Sequence, residues 1–250
     1  MPNHVTNVLK FDCSEERFLE IANFLRMEGE PLGSVDFNKL IPMPKELDIE
    51  SGSRGMNGLK LYREYISAVN QGAAPMDEVN RTAMEEFYKS QADPEIWALG
   101  KAYYENLQNH GATTWYEWCW EHWGTKWNAY AYNEIDPSNK TLIFCTAWSP
   151  VPKLIEALSV EFGDVDILYR WAEEDLGQNV GEAMYQEGDI IWDATPEYGS
   201  KEAIEMAAEI LGADVADWGL RLSADGSAYE YFDPDDEAIE AATVGFDEER

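Results

Sequence analysis

Alternating apolar and polar side chains predict the first elements of the chain. Four alternate positions share one face of a predicted strand that runs up to Asp12: Val5, Asn7, Leu9 and Phe11. Ser14 can cap the following helix, which repeats apolar residues at helical spacing at Phe18, Ile21, Ala22 and Leu25. A second alternation, at Val35, Phe37 and Leu40, predicts a strand that stops before Pro42. The first forty residues therefore predict strand, helix, strand.

The same order returns about a hundred residues later. A predicted strand alternates at Leu142, Phe144, Thr146 and Trp148. Ser149 and Pro150 then suit the start of a helix whose apolar face contains Leu154, Ile155, Leu158 and Phe162. A further strand alternates at Val165, Ile167, Tyr169 and Trp171. Two strand-helix-strand halves predict an α+β fold with a ferredoxin-like split βαβ antiparallel sheet.

The two predicted halves are separated by a large helical insertion and followed by an acidic extension. We expect four segments: 1–44 as the first half, 45–138 as a helical, aromatic-rich insertion, 139–195 as the second half with a hairpin, and 196–250 as an acidic C-terminal α/β extension. The hairpin is predicted over 180–192, a helix is predicted after Ser200, and a last helix is predicted to start at Asp233 and Pro234.

Charge is the strongest compositional signal. The chain has 49 acidic and 18 basic residues and a formal net charge of -31. Residues 171–250 contain 23 of the acids and only three basic residues. Such a surface repels nucleic acid and anionic membranes and attracts basic proteins, although acidity can also serve solubility or adaptation to salt. If a basic partner explains the charge, the expected acidic contact residues are Glu173, Glu174, Asp175, Glu182, Glu187, Asp233, Asp235, Asp236 and Glu237.

Cysteine usage and the chain start indicate a cytoplasmic protein. Cys13, Cys119 and Cys145 are odd in number and widely spaced, which is typical of reduced thiols. The N-terminal residues lack the pattern of a signal peptide, and no apolar run is long enough to span a membrane.

Aromatic residues are concentrated between positions 115 and 132. The first interpretation of this block is a structural core, because each large aromatic side chain can bury about 150 to 250 Å². The alternative is an aromatic surface that grips a partner. In that case Trp120, Trp123 and Trp127 are the expected secondary contact residues.

Sequence motifs for catalysis are absent. We find no phosphate-binding loop, no nucleophile elbow and no complete set of metal ligands, and we expect no metal and no cofactor. One enzymatic alternative stays open, which is a hydrolase or transferase that uses a carboxylate near Glu173 in a pocket lined by Trp127 and Trp148. An RNA-binding sheet is disfavoured because basic residues near the aromatic block are scarce.

Five segments together resemble a known family: MPNHVTN at 1–7, VDFNKLIPMP at 35–44, WGTKWNAY at 123–130, TAWSPVP at 146–152 and YRWAEEDLGQNVGE at 169–182. They resemble the YubB-like ferredoxin-like domain family of uncharacterised plasmid and phage proteins. The resemblance implies a ferredoxin-like fold and a mobile-element origin, and it brings no catalytic residues. The functional expectation is a non-enzymatic phage or plasmid accessory protein in a bacterial host. It would bind a basic, nucleic-acid-handling host protein, and its most specific form is a DNA mimic that inhibits a defence system such as CRISPR or restriction.

Overall fold

The computed structural model describes residues 3–71 and 76–232, with the backbone alone at residues 132–134. Its strands are β1 His4–Asp12, β2 Tyr130–Asp136, β3 Thr141–Ala147, β4 Asp166–Glu173, β5 Val180–Gln186, β6 Asp189–Ala194, β7 Leu220–Leu222 and β8 Tyr229–Tyr231. Its α-helices are α1 Glu15–Leu25, α2 Ser53–Asn70, α3 Glu78–Lys89, α4 Pro94–His110, α5 Trp115–His122, α6 Pro152–Glu161 and α7 Lys201–Leu211. The helix predicted from Asp233 lies outside the described residues.

Six strands form one antiparallel sheet in the order β2-β3-β1-β4-β5-β6. Its first four strands have the order and directions of a ferredoxin-like split βαβ sheet, in which β1 and β3 are central. The hairpin of β5 and β6 widens this sheet, and β7 and β8 form a separate two-stranded sheet. The expected fold class is confirmed.

The second strand of the ferredoxin-like core differs from the sequence prediction. The alternation at Val35, Phe37 and Leu40 does not form a strand, because Phe37–Lys39 is a 3-10 helix. Asn128 accepts the Phe37 amide hydrogen at 2.9 Å, which satisfies a backbone donor that a strand would pair, and it also donates to the Asp36 carboxylate at 2.8 Å. The strand beside β3 is β2, so the helical insertion interrupts the crossover from α1 to β2.

One face of the sheet is covered by α1 and α6. Phe18 of α1 packs against Phe11 of β1, and Phe24 of α1 packs edge-on against Phe162 at the end of α6. Asn7 is buried in this face, where its side chain accepts a 2.6 Å hydrogen bond from the Tyr169 hydroxyl. Burial raises the pKa of Tyr169 well above its ordinary value.

The opposite face is covered by α7 where β4 and β5 meet. Ala203 and Ala207 of α7 pack with Ala172 and Val180 of these strands in one buried cluster. Ser200 caps α7 by accepting the Ala203 amide hydrogen at 3.1 Å, as the sequence predicted. α7 therefore fixes the chain that follows the hairpin onto the sheet.

Residues 41–126 form a compact unit of their own, while residues 1–40 and 127–250 form the other. In the insertion unit, Gly58 of α2 and Gly100 of α4 lie backbone to backbone. A buried aromatic cluster of Tyr62, Tyr65 and Trp97 continues this helix crossing. None of the described helices combines the length and apolarity that a membrane crossing requires.

Candidate functional site

An acidic segment and an aromatic segment are joined through Asn3 at the end of the sheet where β4 finishes. The side chain of Asn3 donates to Glu173 at 2.6 Å and to Asp175 at 3.0 Å. The backbone oxygen of Asn3 accepts the Trp148 amide hydrogen at 2.9 Å. Asn3 therefore ties the acidic segment after β4 to the aromatic segment after β3.

Two tryptophans form the aromatic part of this site. The ring centroids of Trp127 and Trp148 are 6.4 Å apart, and the ring planes are tilted by 37°. Trp127 also meets Tyr130 edge-on at 6.4 Å. Trp148 is 37% exposed and Trp127 is half-buried, so both indoles reach the surface. We call Trp127, Trp148, Glu173, Glu174 and Asp175 the acidic aromatic site.

Tyr130 lies next to Trp127 of the site. Its hydroxyl donates to the Thr146 carbonyl oxygen at 3.1 Å and lies 2.8 Å from the Nδ1 of His4. The pKa of Tyr130 rises to about 12, mainly because burial disfavours the phenolate, with smaller contributions from Cys145 and Glu174. Tyr130 is therefore a neutral, hydrogen-bonded support at physiological pH.

The acids of the site face solvent without internal neutralisation. Glu174 and Asp175 are exposed, and Glu173 is half-buried. None of the three forms an ion pair within residues 3–71 and 76–232. The backbone carbonyl of Glu174 is held by the Trp218 indole at 3.1 Å, which fixes the course of this segment. Three negative charges therefore remain available at this end of the sheet.

Trp148 has a backbone conformation that is unusual for a large residue. Its φ angle is +63°, in the left-handed region. This conformation costs a non-glycine residue about 1 to 2 kcal/mol. The Asn3 carbonyl and the Asn179 side chain, which donates to the Trp148 carbonyl at 3.3 Å, hold the residue in place. Strain of this kind concentrates at functional sites.

Two substitutions at Trp148 separate the backbone from the indole. Trp148→Gly and Trp148→Ala both remove the ring, but glycine accepts a φ of +63° without strain. We expect Trp148→Gly to be more stable than Trp148→Ala by about 1 kcal/mol in urea unfolding. An alanine variant that is at least as stable as the glycine variant would contradict the strained conformation.

The other acids expected at a partner surface do not join this site. Glu182 forms an ion pair with Arg170 at 2.9 Å, and Arg170 also pairs with Glu209 of α7 at 2.9 Å. The hydrogen bond that Arg170 donates to Glu209, together with the charges of both carboxylates, raises the pKa of Arg170. Arg170 thus joins α7 to the sheet, and the charge of Glu182 is matched internally, which sequence spacing does not show. A role of Glu182 as a partner contact stays a prediction.

Glu187 lies at the opposite end of the sheet, in the turn between β5 and β6. Given the rise of a strand, it is about 26 Å from Glu173 along β4. The remaining predicted acids lie outside the described residues: Asp233, Asp235, Asp236 and Glu237. The acids of the prediction therefore do not form one continuous row within the described part of the chain.

Of the three predicted aromatic contact residues, only one belongs to this site. Trp123 is 3% exposed, and its indole donates to the Ile41 carbonyl at 2.9 Å. It belongs to the core of the insertion unit, which corrects its prediction as a contact residue. Trp120 is half-buried on α5, and only Trp127 joins the acidic aromatic site. Asn3 and Tyr130 were missed because neither residue belongs to a recognisable sequence motif.

Comparison with known proteins finds a family match over the segment that contains the acidic aromatic site. Residues 126–214 match a family described as "Ferredoxin-like domain in Api92-like protein". The match contains β2 to β6, α7 and all five residues of the acidic aromatic site, while Asn3 lies before it. It supports a relationship to a ferredoxin-like family, under the Api92-like description and not the YubB-like one.

One solved structure is also similar to the chain. It is a crystal structure of the protein api92 from Yersinia pseudotuberculosis, with a TM-score of 0.41 and 14% sequence identity. The alignment covers 80% of this chain and 99% of that chain. No curated protein matches the chain.

Proposed function

We propose that this protein is a non-enzymatic binding module that engages a basic, nucleic-acid-handling protein through the acidic aromatic site. In this proposal it is an accessory protein of a phage or plasmid and works in the cytoplasm of a bacterial host. The observation that carries the proposal is that Asn3 holds two acids with no ion pair in the described residues, Glu173 and Asp175, and also the backbone of Trp148, whose ring lies next to that of Trp127.

The chemistry of the site suits cationic side chains. A lysine ammonium or arginine guanidinium placed over an indole gains about 0.5 to 2 kcal/mol from the cation-π interaction. An arginine can also form a bidentate, charge-assisted pair with a carboxylate. Trp127 and Trp148 offer the first interaction, and Glu173, Glu174 and Asp175 offer the second. A site of this composition favours a basic protein surface over nucleic acid, whose phosphates it repels.

The net charge supports the same class of partner. At -31 the chain creates a field that accelerates association with a positively charged cleft and repels acidic proteins. Proteins that handle nucleic acid present such clefts for phosphate groups. The most specific form of the proposal is therefore DNA mimicry, in which the protein occupies the nucleic-acid surface of a defence protein.

Capture from bacterial lysate tests the proposal. The tagged full-length chain, used at low and at physiological salt, should recover a basic, nucleic-acid-binding protein. Duplex DNA added in excess should then release that partner, because DNA and the acidic aromatic site would compete for the same surface. Recovery of no such protein at either salt concentration would refute the proposal, and recovery that DNA does not affect would refute mimicry.

An enzymatic role is the second candidate. The half-buried carboxylate of Glu173 is held by the Asn3 side chain at 2.6 Å, and a carboxylate-dependent hydrolase or transferase would need its catalytic acid positioned in this way. Turnover of chromogenic ester, phosphate-ester or glycoside substrates that is lost in Glu173→Gln would favour this candidate over a binding module.

A further inference from the structure

β6 is an exposed, apolar edge of the six-stranded sheet. It pairs with β5 on one side and is the last strand in the sheet order. Three successive side chains are unusually exposed for their type: Ile190 at 54%, Ile191 at 55% and Trp192 at 42%. An apolar, solvent-exposed edge strand is a template for pairing with another extended segment.

Acidic residues surround this apolar edge. Glu187 precedes β6, and Asp189 and Asp193 lie within it. None of these three carboxylates forms an ion pair in the part of the chain that the structure describes. The sequence between Arg170 and Lys201 contains no lysine or arginine. The edge therefore combines apolar side chains with unmatched negative charge.

We propose that the β6 edge binds a short, extended segment of another protein that carries both basic and apolar side chains on each of its faces. Backbone hydrogen bonds to the open edge would supply affinity, as in other strand additions. The register shift at Ile191 puts Asp189 and Trp192 on one face of β6 and Ile190 and Asp193 on the other. On each face, a basic side chain of the segment would match the carboxylate and an apolar side chain would cover the apolar residue.

Charge complementarity selects this occupant over two others. Two copies of β6 paired antiparallel about Ile191 would place Asp189 opposite Asp193 twice, and like charges directly opposite destabilise a sheet. The segment 233–250 of the same chain has eight acidic residues and one basic residue, so the β6 edge would also repel it. A basic segment removes both repulsions.

The irregular pairing of β6 limits the length of the added strand. The register between β5 and β6 shifts between Met184 and Tyr185, and Ile191 has no direct partner in β5. A bulge of this kind twists an edge and interrupts long, flat pairing. This favours a short segment over a long strand.

The β6 edge is a different surface from the acidic aromatic site, so the two proposals fail independently. The probe is a short synthetic peptide that repeats the sequence Lys-Val-Val-Lys, added to the full-length protein. Its matched control carries methyl groups on alternate backbone nitrogens, which preserves charge and side chains but blocks strand pairing. Fluorescence anisotropy measures affinity, and hydrogen exchange with mass spectrometry locates the contact.

We expect the unmethylated peptide to bind about ten-fold more tightly than the methylated one and to slow amide exchange in residues 189–194. Replacing both Asp189 and Asp193 by Asn should weaken binding about five-fold at low salt. The triple variant Glu173→Gln, Glu174→Gln, Asp175→Asn should keep the exchange protection, because it leaves β6 unchanged.

Equal affinity for the two peptides, or protection away from 189–194, would overturn the proposal. Protection that appears without peptide and grows with protein concentration would show a second copy at the edge and would also overturn it. Slow amide exchange of residues 189–194 in the dilute, peptide-free protein would show that residues of the same chain already cover the edge, and this too would overturn the proposal. Loss of partner capture in the triple variant with intact peptide binding would leave both proposals standing.

Discussion

Gly100→Ala should destabilise the helical insertion unit by about 3 kcal/mol or more. A Cβ atom at Gly100 would overlap the backbone of Gly58, and a Cβ atom at Gly58 would lie 2.9 Å from the Cα of Gly100. Backbone atoms cannot yield as a flexible side chain can, so α2 and α4 would have to separate. That separation would also loosen the aromatic cluster around Tyr62 and Trp97, whose ring centroids are 5.1 Å apart.

Denaturant unfolding followed by circular dichroism measures this effect. Replacing glycine by alanine in an unhindered helix normally raises the free energy of unfolding by up to about 1 kcal/mol. A large decrease in Gly100→Ala would therefore be opposite in sign to the effect that helix propensity predicts. Gly163→Ala, in the turn after α6, is a control for an added methyl group without a backbone clash, because its Cβ would meet the nearest atom, Glu187 Cγ, at an ordinary 3.5 Å. An unchanged transition in Gly100→Ala would contradict the close helix crossing.

The parts of the fold that depend on local patterns were predictable. β1, α1, β3, α6 and β4 each repeat apolar residues with the period of their element, and the sequence predicted all five. The edge strand was mispredicted because tertiary contacts decide it. The side chain of Asn128 lies far from residues 36–37 in the sequence but bonds to both of them. It holds them outside any strand, although their alternating pattern predicts one.

The true edge strand, β2, carried a signal of its own. Asp136 accepts hydrogen bonds from Ser138 and Asn139, including a 2.6 Å bond from each side chain, and they lower its pKa to about 2. An Asp followed by Pro, Ser and Asn before a strand is a hairpin turn signal. The density of aromatic residues before it favoured a helical interpretation of the whole block and concealed this turn.

The candidate site was predictable in composition but not in connection. Trp127, Trp148 and Glu173 were expected to share a pocket, and the structure brings them to the same end of the sheet. Asn3 was not expected, because one polar residue near the start of a strand carries no pattern. The internal pairing of Glu182 depends on Arg170 and α7, and sequence spacing alone does not show it.

Neutralising the acids of the site should weaken partner binding about 10- to 100-fold. The variant is Glu173→Gln, Glu174→Gln, Asp175→Asn, which keeps hydrogen-bonding side chains of nearly the same shape beside Asn3. Its control is Asp12→Asn, Glu16→Gln, Glu161→Gln, which changes three exposed acids at the other end of the sheet from Glu173. Both variants lower the net negative charge by three, so long-range attraction falls by a similar amount in each. The difference between them therefore measures contact at the acidic aromatic site.

Calorimetric titration of the recovered basic partner with the unmodified protein, the site variant and the control variant is the most direct test of that contact. If the acidic aromatic site grips the partner, the site variant binds about 10- to 100-fold more weakly than the control, and the gap narrows as salt increases. If the site and control variants lose affinity equally, the acids act only through net charge. That result would contradict a specific binding role for the end of the sheet where Glu173 meets Trp148.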